Sequence, residues 1–587
     1  MKIQRSNYDK SPQIDVPGMI EEGTRGWQDV CARIGATVAA GGHERTVVTL
    51  ECYTGVLLDE ITNALQKFLP EAKILQIADC FRSEDEIERL VAPYNGGDDP
   101  VFGSLTTLGM EDFLDPAKVE SMRQEIGAAS EGTLIILGVG ASLIHPGDFL
   151  VYADLARWEA QLRMRRDAIS NLGCENRELK WSLQYKRAYF IDWRVCDRLK
   201  RDLISRWDLV LDTNRPGDPR MAGGKAIRAG LEEAARRPFR VVPFFDPGPW
   251  GGQRMREICD LDPEPVNYAW CFDCVPEENS IQLKFGEIVM ELPSINVVFH
   301  QPVELLGPKV HARFGDEFPI RFDLLDTVGG GHLSFQVHPL TGYMQRHFGM
   351  HYTQDESYYM LDAGGDATVY LGTKDGIEPE EMIADLEAAG RGEKAFDDDK
   401  FINRFPAKKH DHFLIPAGTC HCSGTDCLVL EISATPYIFT FKMWDWGRLG
   451  LDGLPRPINL ERGIQNIQWE RDTQWCQEQL VNQIEPVADG DGWREERTGL
   501  HELEFIETRR HWFTGKVSHD TGGGVNVLNL VEGREAIVES PSGAFEPFVV
   551  HYAETFIVPA AVGPYTIRPH GEGEGGQCAT LKAYVRT

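Results

Sequence analysis

The sequence predicts a multidomain chain: an N-terminal α/β three-layer domain followed by all-β jelly-roll barrels with a small helical insert. Three observations lead there. The chain has 587 residues, more than one hydrophobic core usually supports, so about two to four domains are expected. Over residues 46–239, short β-rich runs alternate with longer helical stretches, as when helices cross over a mostly parallel sheet. After Pro238, glycine, proline and aromatic residues become frequent and the candidate strands are short and closely spaced, the pattern of double-sheet barrels. The boundaries drawn this way are 1–239, 240–465 and 466–587.

In the first unit, Thr46-Val47-Val48-Thr49-Leu50 reads as a strand. It runs into the turn Glu51-Cys52-Tyr53-Thr54-Gly55 and then an amphipathic helix over 56–69. Residues 73–77, 133–137 and 209–212 read as further strands, and a charged helix with Arg157, Arg163, Arg165 and Arg166 lies between the last two. This arrangement resembles a P-loop kinase of the uridine-kinase type, in which an arginine-rich lid closes over a nucleotide. A phosphate cradle needs a glycine-rich turn followed by Lys and Ser/Thr, so that amides, an ammonium and a hydroxyl converge on the phosphates. The segment ECYTGVLL supplies one glycine and no lysine. The expectation is therefore a degenerate P-loop kinase-like domain, a scaffold or interface that binds ATP weakly or not at all. The arginines read equally well as a solvated helix face.

In the strand-rich remainder, helical periodicity is clearest at 379–389. Pro379 falls in a first turn, where its missing N–H costs nothing, and EEMIADLEAA continues in good helix formers until Gly390. One short helix outside the barrel is expected.

Ser334-Phe335-Gln336-Val337-His338 alternates, and the period of two puts Gln336 and His338 on one face of a strand. Glu356 opens a second candidate strand. Pro416-Ala417-Gly418-Thr419-Cys420-His421 places a histidine three residues after a glycine, just beyond the apolar run 412–415. Imidazole and carboxylate oxygen suit zinc, and a set that includes a weak amide ligand leaves room for a water or substrate oxygen. Taken singly, a histidine at a strand end is more often a hydrogen-bonded structural residue, and Gln336 reads as a buried amide. Four such residues on barrel strands favour a metal.

On these residues the sequence resembles the type I mannose-6-phosphate isomerases, a cupin family. Trp250-Gly251-Gly252 looks like that family's opening motif, and LSFQVHP (333–339) looks like its signature with the first two zinc ligands. Glu356 and His421 match the third and fourth. Trp444-Asp445-Trp446-Gly447-Arg448 is similar to a family segment in which an aspartate is followed closely by an arginine. Segments 527–533 and 554–559 look like the family's second barrel, and Pro559-Ala560-Ala561 lacks a following histidine, so that cupin-like barrel is expected to bind no metal.

The resemblance covers residue 241 onward. It implies Zn2+ held by Gln336, His338, Glu356 and His421, a phosphorylated sugar substrate, and interconversion of mannose 6-phosphate and fructose 6-phosphate, or of a related pair, through an enediol. It places Lys442 and Arg448 as catalytic candidates, Lys442 for charge stabilisation or proton handling and Arg448 for holding phosphate or pairing with Asp445. The bland alternatives are a surface ammonium and a structural ion pair. Two departures stand out: Gln354 occupies a position where the family usually has lysine, and Phe441-Lys442 stands where it has a tyrosine-arginine pair. Lysine keeps the charge but loses the bidentate fork. These departures motivate a rival reading, a sugar-phosphate-binding or regulatory cupin without turnover. An iron-dependent cupin dioxygenase is disfavoured, because such sites often rely on more histidines than the two here.

The net charge of −31 opposes nonspecific binding to nucleic acid or to an anionic membrane, so an anionic substrate needs a local basic pocket. The N-terminus lacks the apolar core of a signal peptide, and the most apolar run, 133–144, is too short and glycine-interrupted to span a bilayer. A cytoplasmic location is expected. The thirteen cysteines, including the CxxC pair Cys271 and Cys274 and the CxC pair Cys420 and Cys422, lack the spacing of a disulfide scaffold or zinc ribbon and read as reduced thiols.

Overall fold

A computed structural model describes residues 6–434 and 437–587. The chain is multidomain and built on several sheets. In the N-terminal unit a seven-stranded sheet runs in the order Thr24–Arg25, Arg220–Gly223, Leu209–Asp212, Phe149–Asp154, Arg45–Cys52, Gly132–Gly138, Lys73–Gln76. The last five are parallel and the first two antiparallel. RTVVTLEC is buried at seven of its eight residues and GTLIILG carries a continuous apolar run, as expected of strands covered on both faces. Helix Leu58–Phe68 buries Ile61, Ala64 and Leu65, the three- and four-residue spacing of one helical face.

The four strands read from the sequence in this unit are present within a residue or two. Phe149–Asp154, wholly buried between two of them, was not anticipated. A short apolar run without alternation carries no periodic signal that separates strand from helix. The arginine helix, Arg157–Arg165, is not a solvated face, although Arg166 just past its end is 56% exposed. The side chains of Arg157 and Arg163 are 2% and 1% exposed, and they pair with Asp197 and Glu159. Arg163 also donates to the Gly55 and Thr213 carbonyls, while Arg165 forks onto Asp246 at 2.7 and 2.8 Å. These cations pin loops together.

The middle of the chain forms a two-sheet structure. One sheet, of six strands, runs His412–Ile415, Glu356–Ala363, Cys427–Ser433, Arg321–Asp326, Trp270–Cys274, Phe244–Asp246. The other, of five, runs Ile402–Pro406, Thr368–Thr373, His421–Ser423, Phe335–Val337, Phe441–Trp444. A second such structure follows, with sheets of six and four strands around a core that includes Phe513, Leu528, Phe556 and Tyr565. The helix expected at 379–389 is Pro379–Gly390.

It is not alone, contrary to the single helix expected. Ile295–His300, Pro302–Leu306 and Pro308–Phe314 are also helical. Proline opens the last two, and the β-favouring INVVF is held as helix by packing against helix Gly224–Ala234, so tertiary contact overrides propensity. No helix among the described residues is long and apolar enough to cross a membrane.

The N-terminal unit is fastened to the rest. Strand Gln13–Asp15 pairs in parallel with Ser280–Phe285. A π-turn, Ala188–Asp192, presents Tyr189 and Phe190, and Tyr189 stacks on Tyr437 at 4.1 Å. Phe102 packs on Phe348 and Phe441 at 5.1 and 5.2 Å. A chain starting at Arg240 would keep every metal-centre candidate but strip the rings that cover Phe348, Tyr437 and Phe439. It is expected to retain zinc yet to aggregate, as read by size exclusion and thermal denaturation. A soluble monomer melting like the full chain would show that the barrels do not need this cover.

Candidate metal centre

Three side chains from both sheets of the middle two-sheet structure converge. Gln336 lies between His421 and Lys442 in the five-stranded sheet, being the Cα partner of each, so all three share one face. His338 follows two residues later, just past the strand end. Glu356 opens a strand of the opposite sheet. Gly418, at φ +91°, has the left-handed geometry the turn before His421 requires, and a Cβ there would meet the Asn466 carbonyl at 2.9 Å.

His338, Glu356 and His421 are fully buried, and their ligand atoms lie within 4.8 Å of one another. His338 Nε2 is 3.0 Å from Glu356 Oε2, and His421 Nε2 is 3.0 Å from Glu356 Oε1. Yet His338 Nε2 and Glu356 Oε1 make no hydrogen bond. The ligand atoms of the three residues converge, and buried polar atoms left without a hydrogen bond call for a ligand. The Gln336 amide nitrogen is 3.2 Å from His421 Nε2, and turning the amide over presents its oxygen there instead.

The outer nitrogens are fixed. His338 Nδ1 is 2.9 Å from the Phe439 carbonyl and 3.0 Å from Thr440 Oγ1, and His421 Nδ1 is 2.9 Å from the Thr419 carbonyl. Both rings therefore present Nε2 inward, the second-layer arrangement typical of metal-binding histidines. Burial opposes ionisation of Glu356, but the two imidazoles more than offset it and hold its carboxyl well below the usual carboxylate range. Burial lowers His421, as a neutral ligand requires, whereas at His338 the Glu356 charge outweighs burial and raises it.

Gln354, the departure noted in the sequence, supports this arrangement. Its amide donates to Glu356 Oε2 at 3.1 Å and accepts from the Phe439 amide at 2.9 Å. One side chain thus braces a carboxylate and the segment whose carbonyl holds His338. Outer partners of this kind typically hold about 10–100-fold in metal affinity. Gln354→Leu is accordingly expected to weaken metal binding by about that factor without unfolding the protein, as measured by competition with a chromogenic chelator; unchanged affinity would make Gln354 mere filling.

Lys442 is half-buried, and burial, together with Arg456 and despite Asp445, lowers its ammonium to about 7. Arg448 pairs with Asp445 through Nε and Nη2 at 2.9 and 2.6 Å, leaving Nη1 unspent on that carboxylate. Sequence reasoning missed Arg456, which takes the other Asp445 oxygen at 2.7 Å and also reaches Ser334. It sits beyond an irregular loop, where no spacing rule links it to the site. One aspartate thus carries two guanidiniums, and with Lys442 the group is net cationic on a strongly acidic chain.

Over residues 26–236 the chain matches a family described as a domain of unknown function (DUF8485). It is 26% identical over 217 residues to the mannose-6-phosphate isomerase of Streptococcus mutans serotype c, covering 37% of this chain and 63% of that one. It is 30% identical over 154 residues to the mannose-6-phosphate isomerase ManA of Bacillus subtilis, covering 26% and 45% respectively. The chain thus spans less than two thirds of the length of either relative. Among solved structures, the mannose 6-phosphate isomerase from Bacillus subtilis aligns over 60% of this chain and 100% of its own, at 17% identity and a TM-score of 0.48.

Proposed function

We propose that the chain is a zinc-dependent aldose-ketose isomerase that interconverts mannose 6-phosphate and fructose 6-phosphate, or a closely related pair of sugar phosphates. The observation that carries the reading is the convergence of His338, Glu356 and His421 within 4.8 Å, with Lys442 in register beside Gln336 on the same strand face. The likeness to mannose-6-phosphate isomerases of Streptococcus mutans and Bacillus subtilis supports it. Two imidazoles, a carboxylate and an amide oxygen fit zinc. When bound, zinc supplies Lewis-acid polarisation of the open-chain sugar's oxygens.

The protein's own groups do the rest. Isomerisation moves one proton between adjacent carbons, so a group able to take and return it must stand beside the substrate. Lys442, with its ammonium near neutrality and a position on the shared face, suits that task. Arg448, oriented by Asp445, offers Nη1 to a phosphate or a sugar oxygen. Gln354 keeps the carboxylate aligned, and the burial of His338, Glu356 and His421 excludes bulk water from behind the reacting atoms.

A coupled assay tests this: fructose 6-phosphate should form from mannose 6-phosphate, stop on chelation, and return with zinc. Metal-loaded protein that binds the sugar phosphate without turnover would establish the regulatory reading, which Gln354 and Lys442 motivate. Protein isolated with iron would favour the dioxygenase.

We read the N-terminal unit as a degenerate P-loop kinase-like domain. The central position of Arg45–Cys52 among the parallel strands supports this, with the turn after it leading directly into helix Leu58–Phe68. That turn carries one glycine and no lysine.

A further inference from the structure

The second two-sheet structure carries a cluster of basic side chains that neither the metal centre nor the proposed reaction uses. Strand Val517–Asp520 alternates buried and exposed residues, so Val517 and His519 point to the core and Ser518 and Asp520 to solvent. His511, on strand Ile506–Phe513 of the opposite sheet, meets His519 with ring centroids 4.4 Å apart. The two rings therefore stand between the sheets, and Tyr565 stacks on His519 at 5.0 Å. Thr580 and Lys582 join them by register. On strand Cys578–Val585, Thr580 is the Cα partner of His511 and Lys582 stands two residues on, so both share the inner face that carries His511.

These groups are buried and unspent. Both ring nitrogens of His519, Nδ1 of His511 and Oγ1 of Thr580 have no hydrogen-bond partner among the described residues. The Lys582 ammonium lies 5.6 Å from the Tyr584 ring and makes no hydrogen bond or ion pair among the described residues. His519 and Lys582 keep 7% and 8% of their surface exposed, so the cluster is closed but reachable. A structural role is the ordinary explanation of one buried histidine, but such a histidine spends a nitrogen on a partner, as His412 does on Ser357. His519 spends neither, and unsatisfied buried groups gathered this way call for a ligand.

The surrounding charge decides which ligand fits. Arg509 is spent on Glu495 and Glu507, and Glu495 also lies 3.3 Å from His511 Nε2. Asp520 points outward and accepts from the Gly522 amide. Lys582 is thus a buried ammonium without a paired carboxylate. Burial, with His511 and Lys582 beside it, holds His519 well below the usual imidazole range, and burial with Lys582 lowers His511 despite Glu495. Burial lowers Lys582 as well. A metal ion would add to this positive charge, whereas an anion would relieve it. Ammonium, hydroxyl and imidazole N–H groups are donors suited to an acceptor-rich oxyanion.

We propose that the second two-sheet structure binds a compact oxyanion, a phosphate or a carboxylate, between His511, His519, Thr580 and Lys582. Glu495, on the outer nitrogen of His511, orients that ring and stabilises its protonated form, so that Nδ1 donates to the anion. The proton that His511 gains on binding comes from solvent. The site shares no residue with the metal centre and does not depend on isomerase activity.

Full-length protein carrying isotope-labelled histidine is titrated with inorganic phosphate and with acetate at constant pH. The ring signals of His511 and His519 are followed by NMR and assigned by their loss in His511→Gln and His519→Gln. One of the two anions is expected to move the His511 signal toward its protonated position, and the one that does so names the source of the ligand. Lys582→Met should weaken that response about tenfold or more while zinc content stays unchanged. A histidine signal that responds in the wild type and not in Lys582→Met identifies the cluster even if neither glutamine variant folds. Three outcomes overturn the proposal: no movement of either signal with either anion, an undiminished response in Lys582→Met, or movement on added zinc instead.

Discussion

Replacing His338 or His421 with alanine is expected to remove bound zinc and isomerase activity together while the chain stays folded. Each imidazole supplies one inward Nε2 to a site closed on its other sides by protein, so nothing nearby can take its place. Loss of an outer partner of a ligand costs about 10–100-fold in affinity, and loss of the ligand itself should exceed about a hundredfold. Folding should survive because the barrel core does not depend on these polar residues: Phe335, Val337 and Cys422, which flank them in sequence, are buried apolar neighbours in the same sheet. Each alanine leaves a small polar cavity that water can fill. Metal analysis of purified variants, alongside circular dichroism, decides the matter. Full occupancy in both would remove the metal assignment from these residues.

The parts of this site that were legible in the sequence are those set by short-range periodicity. Gln336 and His338 stand two apart in an alternating strand, and the turn glycine three residues before His421 marks where a strand must double back. Arg448 and Asp445 stand three apart, close enough for their pairing to be among the readings. Glu356 was offered as a carboxylate at the start of a second strand, a common feature by itself, and the family resemblance then matched it to a ligand position. The brace that Gln354 makes was hidden, because it depends on the Phe439 amide, 85 residues away in sequence and brought close only by the tertiary fold. Arg456 was hidden because it lies beyond an irregular loop, 11 residues from Asp445, where no spacing rule applies.

In the N-terminal unit, the strands flanked by clear turns were readable. The burial of Arg157 and Arg163 was not, because charge in a sequence reads as solvent exposure until its partners, Asp197 and Glu159, are seen. The aromatic junction had no signature either: Tyr189 faces Tyr437 through a π-turn, and an extra residue in a helical turn leaves no trace in composition.

Lys442→Met is expected to lower turnover by about a hundredfold to ten-thousandfold, the range of general acid–base catalysis, while zinc content changes little. The argument is positional. Lys442 faces the same side of the sheet as Gln336, and the converging His338, Glu356 and His421 hold their places without it, so its loss should leave the metal in place. Methionine keeps most of the stem and its packing, which isolates the ammonium.

The pH profile then separates the two roles open to this residue. Burial, with Arg456 and Arg448 nearby, brings the ammonium down to about 7, so its protonation changes within the working range. A proton-abstracting amine acts in the neutral form, and kcat/KM would rise as pH rises through about 7. A charge-stabilising ammonium acts in the protonated form, and kcat/KM would fall across the same interval. In the methionine variant that limb should vanish whichever role holds. Lys442→Arg sharpens the comparison: it restores a fixed charge, rescuing the stabilising role and not the abstracting one. A methionine variant matching the wild type at every pH would assign proton handling to another residue, and Arg448, held ready by Asp445, would be the next to test.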